Sequence, residues 1–253
     1  MISCIISCMN RTDRLEQMLP TWLKVEHIGE IIVVDWSSEI PILKSDIISN
    51  LLKNNDKLKI IRVNGEKYYN VGRAANLAFK VTDKKYKILM KLDVDYVNIN
   101  DTWIDTLRIT PGKRLSNYFI IGSYKFYPSS VGFLLINKID FIKANGFNEK
   151  FEGWGFEDYD LFNRVLENTK NERYLNGLRG FKCIEFFNIK NYIHHIPHDD
   201  ELRTANYKIK EKSESNSINK NIALKNKQIR NKDIKFKIQK SFKNYSEITY
   251  DYE

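Results

Sequence analysis

Four short apolar runs near the start of the chain, each separated from the next by an amphipathic spacer of helix length, restrict the architecture more than any other feature. The runs are SCIISC (3–8), EIIVVDW (30–36), LKIIRV (58–63) and YKILMKLDVD (86–95), and the spacers are RLEQMLPTWLK (14–24), ILKSDIISNLLK (42–53) and NVGRAANLAFKV (70–81). β-Branched runs with little polar alternation fit strands covered on both faces, and spacers of this length fit crossover helices. A βαβαβαβ series implies a parallel sheet. Right-handed crossovers then put the carboxyl end of every strand, and the loop after it, on one edge. The loops on that edge are CMNR (8–11), DWSS (35–38), NGEKYYNVGR (64–73) and LDVDY (92–96), so four polar clusters converge on one crevice.

Beyond Asp95 the regularity breaks. YFIIGSYKFY (118–127) and VGFLLINKIDFI (131–142) read as antiparallel strands, and NGFNEKFEGWGFEDYDLFNRVLE (145–167) reads as a loop running into a helix. The expected fold is a single Rossmann-like α/β domain, parallel in its first half and mixed in its second. Residues 1–206 would form this body. From Tyr207 onward the chain is rich in Lys, Asn and Ser with only scattered apolar residues, which predicts a helical basic C-terminal arm over 207–253.

That arm is where most of the formal charge of +9 gathers, leaving the body closer to neutral and weakening a nucleic-acid reading. Three cysteines, Cys4, Cys8 and Cys183, are too few and too scattered for a disulfide framework or a zinc site, and are expected reduced. No apolar run approaches the roughly 20 residues that cross a bilayer, and MISCIISCMN lacks the basic start and length of a signal peptide. A soluble cytoplasmic protein is expected, with peripheral membrane contact through the basic arm.

Chemistry concentrates at three places. Asp93 and Asp95 end a hydrophobic strand with one residue between them, so both can reach one hard cation; Mn²⁺ or Mg²⁺ bridging a diphosphate suits such ligands. The alternative is a pair of solvated acids. Asp35, at the end of the second strand, can accept the imide N–H of a uracil or act as a turn residue with Ser37 and Ser38. Arg73 can meet phosphate at a helix N-terminus or make a surface salt bridge. Glu157, Asp158 and Asp160 open a helix whose macrodipole favours acids there, with Leu161, Phe162, Val165 and Leu166 toward the core. The flanking Gly153 and Gly155 around Trp154 add flexibility that a purely structural helix start would not need. Finally, His194, His195 and His198 form a cluster that is either polar surface or ligand.

SCMNRTDRL, EIIVVDWSS, YNVGRAANLAF, LDVDYV and GWGFEDYDL, in this order and spacing, resemble a nucleotide-sugar glycosyltransferase of the glycosyltransferase-A fold. The opening half is similar to family 2 glycosyltransferases. GWGFEDYD is similar to the C-terminal region of β-1,4-galactosyltransferases and bacterial chondroitin-type polymerases. The resemblance, over about residues 1–206, implies an inverting, metal-dependent transfer from a UDP-sugar, with Asp158 as base, Glu157 on sugar hydroxyls and Trp154 walling the sugar pocket. It implies nucleotide contacts from Asn10, Arg11, Asp35, Arg73, Asn76 and Asp93. Asp95 would hold the metal with His198, His195 taking the methionine's place in the galactosyltransferase Met-x-x-His pattern, so that either histidine could be the ligand. Part of the tail would order over bound nucleotide. The acceptor would be a glycan, lipid-linked saccharide or protein hydroxyl, with no nucleic acid. The competing expectation is a non-catalytic nucleotide- or nucleic-acid-binding module.

Overall fold

The computed structural model describes residues 1–103, 119–122, 132–169, 183–186, 189–225 and 235–250. The parallel half forms as its pattern requires. β1 (Ile2–Cys8), β2 (Ile28–Trp36), β3 (Leu58–Asn64) and β4 (Ile88–Leu92) are parallel in the order β3-β2-β1-β4, linked by α1 (Thr12–Leu23), α2 (Asp46–Asn54) and α3 (Val71–Lys80). Polar side chains start two of these helices. Ser45 Oγ accepts the Ile48 amide at 3.2 Å, and Asn70 Oδ1 accepts the Arg73 amide at 2.9 Å, each satisfying a donor the helix itself cannot.

Helices cover both faces of the sheet. On one, Leu15, Met18, Leu19 and Trp22 of α1 and Ile48 of α2 pack on Cys4, Ile6, Ile31 and Val33. On the other, Ala74, Ala75, Leu77 and Ala78 of α3 pack on Ile5, Ile32 and Val34. Consecutive strand residues therefore face different apolar layers, which is why the runs carry no polar alternation.

The second half is mixed. β5 (Tyr96–Asn98) leaves the main sheet; β6 (Phe119–Gly122) and β7 (Leu134–Asn137) return to it, β7 pairing antiparallel with both β4 and β6, and β8 (Cys183–Phe186) runs parallel to β6. The strand expected over 131–142 is cut short. At Asn137 the side chain accepts the Ile139 amide at 2.9 Å and starts α4 (Lys138–Lys143), so capping overrides the apolar run. α5 (Glu157–Thr169) begins at the acidic segment, as expected. β9 (Ile193–His195) pairs antiparallel with β5 in a separate two-stranded sheet. α6 (Asp200–Thr204) follows it.

The C-terminal part corrects the helical arm. α7 (Lys212–Lys225) is a helix, but β10 (Phe236–Phe242) and β11 (Tyr245–Tyr250) form a hairpin whose second strand pairs parallel with β3. Nine described strands thus make the main sheet. Ile248, 2% exposed, and Tyr250, whose ring centroid lies 5.3 Å from that of Trp36, join the hairpin to the core. No described helix is long and apolar enough to cross a membrane. Ile248→Asp should lower stability by ~3 kcal/mol, because it buries a charge beside β3; a thermal melt against Ile238→Asp on the exposed outer strand isolates the effect.

Candidate active site

β5 and β9 bring the histidines to the strand-end acid. Tyr96 pairs with His195, and the Ile196 amide donates to the Asp95 carbonyl at 2.8 Å. In consequence Asp95 Oδ2 lies 3.0 Å from His198 Nε2, 3.5 Å from His195 Nε2 and 3.8 Å from Arg11 Nη1. One ligand atom from each of Asp95, His195 and His198 falls within 4.8 Å of the others, so both histidines meet the acid. The His198 Nδ1 lies 3.0 Å from the Asp199 carbonyl, to which it can donate, while Nε2 faces Asp95. A carboxylate oxygen and a ring nitrogen at this distance share a proton or a cation between them.

Asp95 supplies the further test of fit. It is 3% exposed, and among the described residues its buried Oδ1 has no hydrogen-bond partner, which suits a cation ligand. Burial pushes its carboxyl toward the neutral form, but hydrogen bonds and charge from His195 and His198 outweigh burial and hold it well below the usual carboxylate range. Carboxylate and imidazole together suit Mn²⁺.

A cavity of about 1040 Å³ opens beside this set and is lined on its other side by Trp154, Glu157 and Asp158. Glu157 is 7% exposed, and its buried Oε2 has no hydrogen-bond partner among the described residues. Burial first, and the neighbouring Asp158 charge second, push Glu157 up to about 8. Burial also raises Asp158, opposed by Lys91, whose Nζ lies 3.3 Å from Asp158 Oδ1 and 2.8 Å from Asp93 Oδ1. The site therefore holds one acid that is neutral at pH 7 and one whose ionisation a buried lysine supports.

The glycines around Trp154 have a reason the sequence did not disclose. α7 lies against this loop. Ser215 Oγ donates to the Trp154 carbonyl at 2.7 Å, and Asn219 Nδ2 to the Gly155 carbonyl at 2.8 Å. A Cβ on Gly153 would overlap the Ser215 hydroxyl, and Gly155 has φ +99°, so close approach and backbone handedness select glycine rather than flexibility. The Trp154 ring lies 5.0 Å from the Arg203 guanidinium carbon and 5.0 Å from Lys212 Nζ, a cation at each contact.

Not every expected residue reaches the cavity. Arg11, Asp93, Asp95, His195 and His198 line it; Asn10, Asp35, Arg73 and Asn76 are absent from the described lining. Asp35 is 1% exposed, receives Arg62 Nη1 at 2.6 Å and accepts the Ser38 amide at 3.1 Å. Asn76 bonds the Phe147 amide and carbonyl, both at 2.9 Å, tying α3 to the loop before α5. Asn10, with φ +57°, accepts the Glu39 amide at 2.7 Å and donates to Asn206 at 2.9 Å. At Arg73 the backbone takes part in the α3 cap. Reasoning from sequence overlooked Lys91, in β4 two residues before Asp93, although a period of two in an extended segment places them on one face. It also overlooked Tyr69 and Tyr207, whose rings lie 5.3 Å apart in the cavity wall.

Mn²⁺ should raise the melting temperature of the wild-type protein, and Asp95→Ala should abolish the rise. For Glu157, the unfolded chain loses its proton near 4.5 while the folded chain keeps it to about 8, so stability falls as pH rises between those values. Glu157→Gln should gain stability relative to wild type across that window and hold a constant difference above it, measured by denaturant melts at stepped pH.

The chain can now be compared with known proteins. Residues 117–199 match the family model described as the N-terminal domain of galactosyltransferase. Human chondroitin sulfate synthase 3 is 33% identical over 97 residues, 37% of this chain and 10% of that protein. Rat β-1,4-galactosyltransferase 6 is 32% identical over 111 residues, 42% of this chain and 28% of that protein. The match therefore spans less than a third of either relative. The catalytic domain of Drosophila β1,4-galactosyltransferase 7, solved with xylobiose, superposes with a TM-score of 0.60 at 16% identity, covering 100% of this chain and 94% of that one. A mutant of the same enzyme solved with manganese, UDP-Gal and xylobiose gives 0.57 at 17% identity, with 100% and 94% covered. The chain has the glycosyltransferase-A fold, and residues 117–199 are similar to the N-terminal domain of galactosyltransferase.

Proposed function

We propose that the protein is a metal-dependent glycosyltransferase that moves a sugar from a UDP-sugar to a hydroxyl acceptor with inversion. The observation that carries this reading is one cavity lined by a cation-ligand set, Asp95, His195 and His198, and by the acid pair Glu157 and Asp158 beside Trp154. The solved mutant with manganese, UDP-Gal and xylobiose supports the same donor and acceptor classes.

Each group then has a distinct task. Asp158, ionised beside Lys91, takes the proton of the attacking hydroxyl as that oxygen bonds the anomeric carbon from the face opposite the leaving UDP. Glu157, neutral at pH 7, donates a hydrogen bond from its carboxyl O–H to a sugar hydroxyl oxygen, and the indole of Trp154 covers the sugar's apolar face. Arg11 and Asp93, which line the cavity, contact the nucleotide. A divalent cation on Asp95, His195 and His198 would offset the negative charge that develops on the departing diphosphate. The acceptor is a saccharide hydroxyl.

Purified protein should release UDP from one member of a UDP-sugar panel in the presence of Mn²⁺. Asp158→Asn should keep UDP–Mn²⁺ affinity and lose ~10²–10⁴-fold in transfer rate. Wild-type transfer by Asp158→Asn would remove the base assignment, and failure of the wild-type protein to bind UDP with Mn²⁺ would sink the whole reading.

A further inference from the structure

Lys91 sits in a strand whose other residues, Ile88, Leu89, Met90 and Leu92, are all apolar. It is 4% exposed, and its Nζ reaches 6.0 Å from the Phe147 ring centroid, so a methionine or leucine would satisfy the packing as well. Burying an ammonium is costly unless paired. Its partners come from two separate elements: Asp93 Oδ1 at 2.8 Å, just past the end of β4, and Asp158 Oδ1 at 3.3 Å, in the first turn of α5. Lys91 is absent from the described cavity lining although both partners line it, so it acts on a ligand only through them.

We propose that Lys91 is a positioning residue: its ammonium clamps Asp158 of the mixed half to Asp93 of the parallel half and so fixes the base against the nucleotide side of the cavity. This rests on the glycosyltransferase reading for its consequence in turnover, and on geometry alone for the clamp. The charged and titratable groups facing Asp158 are Lys91 and Asp93 from β4 and its segment, Tyr96 from β5 and Glu157 on its own helix, with Tyr207 beside Glu157. Lys91 is the one cation the described groups provide there. Burial works against its charge, yet Asp158, Asp93 and Glu157 hold it protonated above the ordinary lysine range. The lysine end of the clamp therefore keeps its charge at neutral pH.

Lys91→Met and Lys91→Arg test this on the full chain. In Lys91→Met the Asp158 carboxyl, followed by ¹³C NMR and assigned with Asp158→Asn, should titrate at least ~1 pH unit higher than in wild type, a readout that needs no turnover. With the active donor, kcat at pH 7 should fall at least ~10-fold with the donor KM little changed, and the acid limb of the kcat profile should move to higher pH. Lys91→Arg, which keeps the charge, should restore the titration and much of kcat. An Asp158 titration unchanged in Lys91→Met overturns the clamp, as does an acid limb that does not move; Lys91→Gln replaces the methionine variant if that does not fold. A wild-type protein that turns over no donor would defeat the proposed reaction while the Asp158 titration still decides the role of Lys91.

Discussion

Carboxylates crowded at one edge of one sheet repel one another, and the rest of this structure depends on how that repulsion is met. Asp93, Asp95, Glu157 and Asp158 all line a single cavity. Lys91 lies between two of them, Arg11 and two imidazoles surround the third, and the fourth stays neutral under burial. Each solution differs because each environment differs: a cation in the strand, rings delivered by a small second sheet and the segment after it, and burial at a helix start. Environments of this kind push like groups to different protonation states, which is what acid–base chemistry at neutral pH requires.

The parallel half was legible because its physics is local and repetitive. Ile5 and Ile6 face opposite apolar layers, as do Ile32 and Val33, so burial on both sides leaves its mark on every strand residue. The hairpin was not legible for the opposite reason. Six of the seven residues of β10 are exposed, so it shows little apolar pattern, and β11 buries only Ile248. α7 escaped notice as a packed element because its buried residues are Ser215 and Asn219, whose contacts are polar and leave no hydrophobic stripe.

The acids and histidines of the site were readable from spacing and resemblance, while the assignments around them were not. Asp35 ends its strand as expected, yet its carboxylate is taken up by Arg62, one strand over, and no sequence pattern announces a cross-strand partner 27 residues away. Asn76 similarly spends its amide on the loop at Phe147. A lone lysine in an apolar run reads as an edge or an interruption; only the fold shows that it meets an acid 67 residues later.

Of the four tryptophans in the chain, Trp22, Trp36 and Trp103 are completely buried, whereas Trp154 alone is half-exposed at the cavity, between Arg203 and Lys212. The three core indoles emit from the protein interior, away from solvent. Trp154 emits next to two positive charges and at the boundary with solvent, so any ligand that draws off those cations or displaces water from the ring changes its spectrum. The protein thus carries an intrinsic optical reporter of cavity occupancy.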